Sequence, residues 1–460
     1  MVPGPHLAVA ATSRHRAFRG VAVVLVLALS WIALALLSRG RLADRQQLVT
    51  QLFAGLVIAT YAGAWLGAIG ATRHPRRMLL RALATTSVVL ASLAILELAA
   101  AFRVVHWMLI FRALSGEGVD YRTAYVLDEA LSFRRIPGLQ WSGRPASDIE
   151  ATYGLPATVT RPITFNYDQW GYRNAVTMAT ADIVLLGDSY AEGWYVSDDE
   201  TVAARLTERL NRPVANLAVA GYGTLQELQV LKTDALRRHP KVVAWFFFEG
   251  NDLYDDQKFE NTLLAGPPSR DDTTPTRAGL TRTHGWVERS FVLNAFKWIR
   301  RSAHPLVPNQ MPYWARLKGA STEAQRLYFF GYGGVPWTKF EEDRWAIARA
   351  AFEEGVALSS GHGIHLVLVY VPTKYRVFRD FIDIPPASAM AGWNAWHQLP
   401  AHFQELCRAA GVPCLDLTER LQASIRAGHL PYALNDTHWS PDGHAIVAAA
   451  LEDALRERAW

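Results

Sequence analysis

Sulfur and charge are scarce in this sequence. Its 460 residues include only two cysteines and six methionines, and 19% of the residues are charged. Two cysteines are too few for a disulfide-stapled fold or for a four-cysteine zinc site. No Walker loop and no Gly-x-Gly-x-x-Gly turn stands where a nucleotide cofactor would need it, so we expect no cofactor. At this length, two or more domains are expected.

Lysine and acidic residues are nearly missing from the first part of the chain. Residues 1–112 contain twelve arginines, no lysine, and only Asp44 and Glu97 as acids, so this part carries a net charge of +10 and the remainder −5. The positive charge lies beside apolar segments and is not spread over the chain. It therefore predicts a membrane, and not a nucleic acid, as a partner.

Three long apolar stretches occupy this first part, at about 21–37, 48–69 and 79–102. Roughly 20 apolar residues span the hydrocarbon core of a bilayer, so residues 1–112 are predicted to form an N-terminal membrane anchor with three transmembrane helices. A cleaved signal peptide and a buried helical bundle are the alternatives. Glu97 lies near the end of the third stretch, where a structural role is favoured over an intramembrane function.

The arginines of the flanking loops predict the orientation of the anchor. Seven lie on one side of the three stretches and five on the other, and the positive-inside rule then places the N-terminus in the cytoplasm. The sequence thus predicts a multi-pass protein of the bacterial inner membrane. Everything after residue 102 would lie on the extracytoplasmic, periplasmic side.

Residues 113–180 are predicted to be a connector that packs on the domain after it. Proline and glycine recur there without a helical or strand period, as is typical of loops. The polar and aromatic segment 166–174 has two interpretations. It lines a substrate cleft, or it forms an ordered cover over the strand that follows.

From residue 181 onward, apolar strand-like runs alternate with helical patterns. The expected strands are 182–186, 214–218, 242–248, 365–371 and 412–417, and the expected helices are 199–210, 224–238, 341–360, 401–410 and 441–456. This order predicts an α/β fold with a doubly wound, mostly parallel five-stranded sheet over residues 181–460. The interval 253–339 breaks the pattern. It is predicted to be a helical insertion or cap beside the cleft, or else a surface excursion without function.

Four short motifs fall at or just after the ends of predicted elements. They are Gly187-Asp188-Ser189, the segment 216–224, Glu249-Gly250-Asn251-Asp252, and Asn435-Asp436-Thr437-His438-Trp439. The turns after successive parallel strands meet at one edge of a doubly wound sheet. Residues from all four motifs are therefore expected to converge, although Ser189 alone would also fit the N-cap of a helix.

The residue types in these motifs suit acyl transfer through a serine. A serine hydroxyl is a weak nucleophile without a base, and His438 is the best candidate for that base. Asp436 lies two residues earlier, where an extended segment points both side chains the same way, so it can orient the imidazole. The N–H groups of Ser189 and Gly221 and the amide of Asn251 are the candidate oxyanion donors.

The four motifs, in this order, resemble those of the SGNH hydrolases, also called GDSL esterases. The resemblance covers about residues 181–456 without the insertion. It implies that Ser189 is the nucleophile, His438 the base, Asp436 its partner, and Gly221 and Asn251 oxyanion donors. Gly223 is an alternative to Gly221. The family often shows Asp-x-x-His. Here the pattern is Asp-x-His-Trp, which is similar to the branch with alginate-type O-acetylation enzymes.

Other candidates are weaker. His362 and His365 are interpreted as surface histidines. Asp436, His438, Asp442 and His444 could be drawn as a metal cluster, but residues 442–444 fit better as the first turn of a closing helix, so we expect no metal. Asp252 is expected to hold a turn. Cys407 and Cys414 are either a disulfide or two buried thiols, because their spacing alone does not decide.

Three functions compete at this point. The first is a membrane-anchored serine esterase that removes an acyl group, such as acetyl, from an extracytoplasmic glycan or lipid. The second is an O-acyltransferase that modifies a cell-envelope or exported polysaccharide with the same triad and needs a membrane protein as acyl donor. The third is a carbohydrate-binding module without catalysis, which an intact triad disfavours.

Overall fold

A computed structural model describes most of the chain from residue 74 onward. The described residues are 74–102, 104–105, 107, 111, 125–145, 147–149, 162–264, 290–303, 313–319, 326–329, 332–333, 337–393, 398–458 and 460. The chain divides into two compact units. One comprises Met1–Val119 with His284–Pro305, and the other Asp120–Thr283 with Leu306–Trp460.

The described residues form twelve strands and eleven α-helices. The strands are β1 (Tyr125–Asp128), β2 (Ser132–Arg135), β3 (Gln140–Gly143), β4 (Ile163–Asn166), β5 (Ile183–Leu186), β6 (Val214–Asn216), β7 (Val242–Phe248), β8 (Trp314–Leu317), β9 (Arg326–Tyr328), β10 (His365–Val371), β11 (Ile382–Asp383) and β12 (Cys414–Asp416). The helices are α1 (Pro75–Ala101), α2 (Ser189–Glu192), α3 (Val202–Leu210), α4 (Thr224–Val230), α5 (Asp252–Leu264), α6 (Phe291–Ala303), α7 (Lys339–Gly361), α8 (Lys374–Phe378), α9 (Leu399–Ala410), α10 (Thr418–Arg426) and α11 (Pro441–Arg456).

A five-stranded, fully parallel sheet is the centre of the second unit. Its order is β12-β10-β7-β5-β6, and Ile183 of β5 aligns with Val214 on one side and Val242 on the other. The chain leaves β5 toward β6 at one edge and then crosses back to β7. The direction of winding therefore changes next to the carboxyl end of β5, which is where open α/β sheets bind their ligands.

Both faces of this sheet are covered by helices, because its strands are apolar on both sides. Along β5, Ile183 and Leu185 face the layer that contains α3 and α11. Val184 and Leu186 face the layer with α4, α7 and α9. All seven residues of β7 are buried, and each large apolar side chain buried in this way stabilises the fold by about 1.5–3 kcal/mol.

Smaller antiparallel pairings surround the main sheet. Strands β1 and β2 form a hairpin, β3 pairs with β4, and β8 pairs with both β9 and β11. The interval 253–339, expected to be helical, therefore contributes strands as well as helices where it is described. A disulfide joins Cys407 in α9 to Cys414 in β12, with 5.8 Å between their Cα atoms.

The five-stranded parallel sheet is observed where the sequence places it. The predicted strands 242–248 and 365–371 match β7 and β10 residue for residue. The predicted helix 224–238 is α-helical only to Val230 and continues as a π turn and a 3₁₀ turn. Local apolar patterns thus located the elements well, but they did not reveal the change of helix type.

The fold prediction is wrong in its transmembrane helices. Of the described residues, none belongs to a helix with the length and apolar character needed to span a bilayer. This contradicts the predicted span 79–102, which falls on α1, and with it the multi-pass inner-membrane localisation. The predicted spans 21–37 and 48–69 lie outside the described residues.

Charged residues lie near both ends of α1. The helix carries exposed Arg76 and Arg77 at its start. Near its other end, Glu97 accepts hydrogen bonds from the Ser290 hydroxyl at 2.8 Å and the Val292 N–H at 2.7 Å. Glu97 therefore binds the start of α6, the helix that packs on α1. Hydropathy counts apolar residues but does not identify the contacts that a helix makes.

Candidate active site

The turn between β5 and α2 presents Ser189. Gly187 ends the strand with a φ of +152°, and a Cβ there would come within 2.9 Å of the Cβ atoms of Ala191 and Phe246, so glycine is required. Asp188 is the N-cap of α2, since its carboxylate accepts the Tyr190 N–H at 2.9 Å. Ser189 is therefore not the cap and its hydroxyl is left for other partners.

The hydroxyl of Ser189 meets the ring of His438. Its Oγ lies 2.8 Å from Nε2 of His438, and Nδ1 of the same ring lies 2.6 Å from Oδ1 of Asp436. The His438 N–H also donates to Oδ1 of Asp436 at 2.7 Å. The structure thus brings together all three residues predicted for the triad, although they are separated by up to 249 positions.

Packing holds this segment in place. The hydroxyl of Tyr190 donates to the carbonyl oxygen of Thr437 at 2.5 Å. The buried ring of Trp439 packs edge-on against Tyr190. Ser440 then caps α11 by accepting the Gly443 N–H at 3.2 Å. The Asp-x-His-Trp pattern therefore places an imidazole by anchoring the residues on both sides of it.

The electrostatics keep the partner of the base ionised and fix the orientation of the ring. Burial acts to raise the pKa of Asp436, but the charge and hydrogen bonds of His438 lower it to about 2. Burial acts to lower the pKa of His438, yet the charge and hydrogen bond of Asp436 raise it overall. Asp436 is thus charged across the physiological range, and it fixes the ring with its proton on Nδ1 so that Nε2 can accept the serine proton.

Two backbone N–H groups at this edge are open for a substrate oxygen. Gly221 has a φ of +87°, and neither its N–H nor that of Ser189 has an acceptor among the described residues. The Gly223 N–H, in contrast, donates to the side chain of Gln226. Gly221 is therefore the better oxyanion donor of the two glycines.

The side chain of Asn251 is held beside the exit of β7. Its Nδ2 donates to Oδ2 of Asp255 at 2.8 Å, while Asp255 is paired with Lys258 at 2.5 Å. An amide nitrogen carries two hydrogens, so this contact uses one and leaves one for an oxyanion. Neighbouring Asp252 accepts the Phe248 N–H at 2.8 Å and so closes the turn after β7.

Replacing Asn251 with alanine is expected to lower kcat for an ester substrate about 10²–10³-fold with little change in KM. The reason is that a lost oxyanion donor costs about 3 kcal/mol in the transition state and little in the ground state. Steady-state kinetics with p-nitrophenyl acetate measure this. Asn261→Ala, at an exposed position of helix α5, which begins directly after Asn251, should leave kcat unchanged. A loss of less than about threefold for Asn251→Ala would remove Asn251 from the oxyanion site.

Sequence reasoning missed the buried pair that fixes the Gly221 turn. Glu192 is fully buried and forms an ion pair with Arg135 at 3.3 Å. Its Oε2 accepts the Ala220 N–H at 2.8 Å, and Arg135 donates to the Ala220 carbonyl at 3.1 Å. Ala220, the residue before Gly221, is thus held at both its N–H and its carbonyl. The sequence carries no signal for this contact, because Arg135 lies in the predicted connector.

Two further residues at the triad were also missed. Asp148, from the predicted connector, accepts the Thr437 N–H at 3.2 Å and donates its own N–H to Oδ2 of Asp436 at 2.9 Å. The ammonium of Lys374 donates to the carbonyl of Asp436 at 3.0 Å, and also to those of Tyr328, Ala433 and Leu434. Burial lowers the pKa of Lys374 to about 7, against the opposing charges of Asp436 and Asp148.

Replacing Lys374 with methionine is expected to lower the free energy of unfolding by about 3 kcal/mol. Methionine fills much of the same volume but donates no hydrogen bond. The Leu434 carbonyl keeps the Tyr328 N–H, whereas the carbonyl of buried Asp436 loses the Lys374 donor, and each buried group left unpaired costs about 1–3 kcal/mol. Urea denaturation followed by tryptophan fluorescence measures this. Lys339→Met, at an exposed position, should change stability by no more than about 0.5 kcal/mol. Equal stability of the two variants would show that the Lys374 contacts are not structural.

One group of side chains has donor atoms close enough to hold a cation. Oxygens of Asp148 and Asp436 and a ring nitrogen of His438 lie within 4.8 Å of one another. However, Nδ1 of His438 is hydrogen-bonded to Asp436, and a protonated Nδ1 has no lone pair for a metal. Of the predicted alternatives, Asp442 is largely exposed at the start of α11, while His444 is buried within that helix.

The remaining sequence candidates lie elsewhere. His362 and His365 are exposed, and the ring of His365 stacks on Trp460. The segment 166–174 covers the sheet: Asn174 exchanges hydrogen bonds with the backbone of Asn216 at 2.8 and 3.0 Å. Arg173 donates to the Val196 carbonyl at 2.7 Å and pairs with Asp198 at 2.9 Å. Of the two interpretations of this segment, these contacts favour the ordered cover and disfavour the lining of a substrate cleft.

Comparison with known proteins identifies relatives of the C-terminal part. Residues 342–460 match a family described as SGNH hydrolase-like domain, acetyltransferase AlgX. The matched segment contains Asp436 and His438 but not Ser189, Gly221 or Asn251.

Curated relatives match in about a quarter of the chain. A probable alginate O-acetylase AlgJ of Pseudomonas aeruginosa is 32% identical over 116 residues, 25% of this chain and 27% of that protein. A protein of the same description from Pseudomonas fluorescens is 30% identical over 119 residues, which cover 25% of this chain and 29% of that protein. The match thus spans little more than a quarter of these relatives.

Solved structures are similar only at low scores. A GDSL-like lipase of Bacteroides thetaiotaomicron has a TM-score of 0.29 at 13% identity, covering 60% of this chain and 88% of that one. An acetyl-xylooligosaccharide esterase of Geobacillus has a TM-score of 0.32 at 12% identity, and the match covers 62% of this chain and 97% of that one. Similarity this low does not bear on function. The sequence matches themselves confirm the resemblance to SGNH enzymes of alginate-type O-acetylation, a class of esterases and O-acetyltransferases.

Proposed function

We propose that this chain is a serine O-acyltransferase that forms an acyl-Ser189 intermediate and passes the acyl group, acetyl in the first instance, to a hydroxyl of a polysaccharide. The observation that carries the proposal is the hydrogen-bonded series from Ser189 through His438 to Asp436, with contacts of 2.8 and 2.6 Å. A binding module has no need for an oriented base next to a buried carboxylate.

The steps follow from the geometry. Oγ of Ser189 attacks the carbonyl carbon of the donor ester while its proton moves to Nε2 of His438. The oxyanion is stabilised by the N–H groups of Ser189 and Gly221 and the amide of Asn251. As the C–O bond to the leaving alcohol breaks, His438 returns the proton to that alcohol. A sugar hydroxyl then gives its proton to His438 and attacks the carbonyl carbon of the acyl-serine. The bond from that carbon to Oγ of Ser189 breaks, His438 returns the proton to Oγ, and the acylated sugar leaves as the new ester.

Transfer, and not hydrolysis, is favoured by the relatives. The family matched by residues 342–460 is described as an acetyltransferase, and the curated relatives as alginate O-acetylases. Hydrolysis, which the sequence alone put first, is the second candidate, because water can replace the sugar at the same step. The triad geometry is common to both reactions.

Trapping the acyl-enzyme tests the shared chemistry. The full chain is treated with a fluorophosphonate and digested, and mass spectrometry is expected to find the adduct on the peptide that contains Ser189. An enzyme that stays unmodified, with no acetate released from p-nitrophenyl acetate, would overturn the proposal.

An acceptor experiment then separates transfer from hydrolysis. With p-nitrophenyl acetate as donor and polymannuronate as acceptor, transfer predicts acetyl esters on the polymer and a fall in free acetate. Unchanged acetate release with an unmodified polymer would contradict transfer and support the esterase.

A further inference from the structure

Asp148 makes a reciprocal contact with the segment that carries the predicted base. Its backbone N–H donates to Oδ2 of Asp436 at 2.9 Å, while its carboxylate accepts the Thr437 N–H at 3.2 Å and the Thr437 hydroxyl. These bonds join residues 288 positions apart. They hold the two residues before His438, Asp436 and Thr437, whose carbonyl oxygens accept hydrogen bonds from Lys374 and Tyr190 respectively.

The carboxylate of Asp148 also lies close to the imidazole. Its Oδ2 is 3.9 Å from Nδ1 of His438. This is the same ring nitrogen that Oδ1 of Asp436 contacts at 2.6 Å. The distance is too long for a hydrogen bond but short enough for a strong charge interaction. His438 is thus next to two carboxylates, whereas a single aspartate suffices to orient a ring.

This arrangement is costly to the folded chain. Burial, followed by the like charge of Asp436, raises the pKa of Asp148 to about 7, although His438 and the Thr437 hydroxyl act in the opposite direction. Two carboxylates that share a buried site repel each other. A purely structural contact could be made at lower cost by a neutral side chain, and such costly groups concentrate at functional sites.

We propose that Asp148 is a positioning residue of the active site, which holds the Asp436–His438 segment and supplies the imidazole with a second carboxylate. This inference rests on the proposed function. When the serine proton moves to Nε2, the ring becomes positive. Asp436 stabilises that charge through a hydrogen bond and Asp148 through space.

The groups around His438 decide what its titration will show. Those that face the ring or Asp148 come from several elements of the same unit. They are Asp436, Asp188, Lys374, Tyr190, Tyr332 and His444. A substitution at Asp148 leaves these six side chains in place. A shift in the pH profile of that variant therefore reports the lost charge, which acts on His438 directly and also on Lys374.

The test is the pH dependence of Asp148→Asn in the full chain. Asparagine keeps an oxygen that can accept the Thr437 N–H but has no charge. We expect the midpoint of the acidic limb of kcat/KM to fall by about one pH unit, because the charged form of His438 loses a partner. We also expect a loss in kcat at the plateau on the order of tenfold, with KM unchanged.

The control for this test is a second aspartate-to-asparagine change. Asp380→Asn, at an exposed aspartate, should leave both the midpoint and kcat unchanged. If Asp148→Asn keeps the wild-type midpoint and kcat, Asp148 does not act on His438 and the inference is overturned.

A second pair of variants covers the case in which Asp148→Asn fails to fold. Thr437→Val removes the hydroxyl that donates to Asp148, and Thr437→Ser retains it. We expect kcat to fall severalfold in the valine variant and to recover in the serine variant, because the hydroxyl binds Asp148 and lowers the pKa of its carboxyl. Equal activity of the two would overturn the positioning role.

Failure of this inference and failure of the proposed function can be told apart. The wild-type chain is labelled with fluorophosphonate in parallel with every variant. Labelling of wild type together with an unchanged Asp148→Asn profile removes only the inference. Absence of labelling in wild type removes both.

Discussion

Replacing Ser189 with alanine is expected to abolish fluorophosphonate labelling and to lower kcat/KM for p-nitrophenyl acetate by about 10⁴-fold or more. This substitution removes only the hydroxyl group. It lies 2.8 Å from the base, and without it no acyl-enzyme can form. The residual rate would come from the oxyanion donors and from binding alone, because those groups are still in place.

The measurement combines labelling with kinetics on the full chain. Ser360→Ala, at an exposed serine near the end of α7, is the matched control and should retain full labelling. Circular dichroism should be the same for wild type and both variants, since neither change removes a buried apolar group. Labelling that persists in Ser189→Ala would identify a different nucleophile.

Replacing Asp436 with asparagine is expected to lower kcat by roughly 10⁴-fold while the fold and KM are kept. The amide is nearly the same size as the carboxylate. However, if its nitrogen faces Nδ1 of His438, it donates to that atom, and the ring proton moves to Nε2. An Nε2 that carries a proton cannot accept the one from Ser189. The loss therefore arises from the wrong tautomer and not from a cavity.

The pH dependence gives a second readout for this variant. Asp436 is one of the groups that raise the pKa of His438, so wild-type activity should rise with pH through a midpoint above the ordinary histidine value. In Asp436→Asn the remaining activity should have a lower midpoint, because the positive ring has lost its nearest counter-charge. Asp453→Asn, a half-exposed aspartate paired with Arg420 on the surface, should behave as wild type. A loss below about tenfold for Asp436→Asn would exclude the orienting role.

Much of the active-site geometry was already predictable from short stretches of sequence. The apolar run before Gly187 predicts a buried strand, and the glycine with Ser189 two positions later predicts the turn. The spacing of Asp436 and His438 predicts that both side chains point one way. Each of these is a local property, set by the alternation of side chains and by the backbone freedom of glycine.

The membrane prediction failed for a physical reason. The apolar stretch 79–102 becomes helix α1, and large apolar side chains of that helix such as Leu79 and Leu90 are exposed, so apolar content alone does not identify what a helix contacts. Glu97 appeared as a single charge near the end of that stretch. Only its contacts with Ser290 and Val292 show that it caps a neighbouring helix.

By itself, the sequence determined the five parallel strands, the edge where they end, and the residue types that meet there. Only the tertiary structure decided which residues support them: Asp148 beside the imidazole, Lys374 beneath the Asp436 carbonyl, and the Arg135–Glu192 pair behind Gly221. The reason lies in the range of the interactions. Strand and turn preferences act between neighbours in the chain, whereas these supporting contacts join residues 57 to 289 positions apart, which no local pattern encodes.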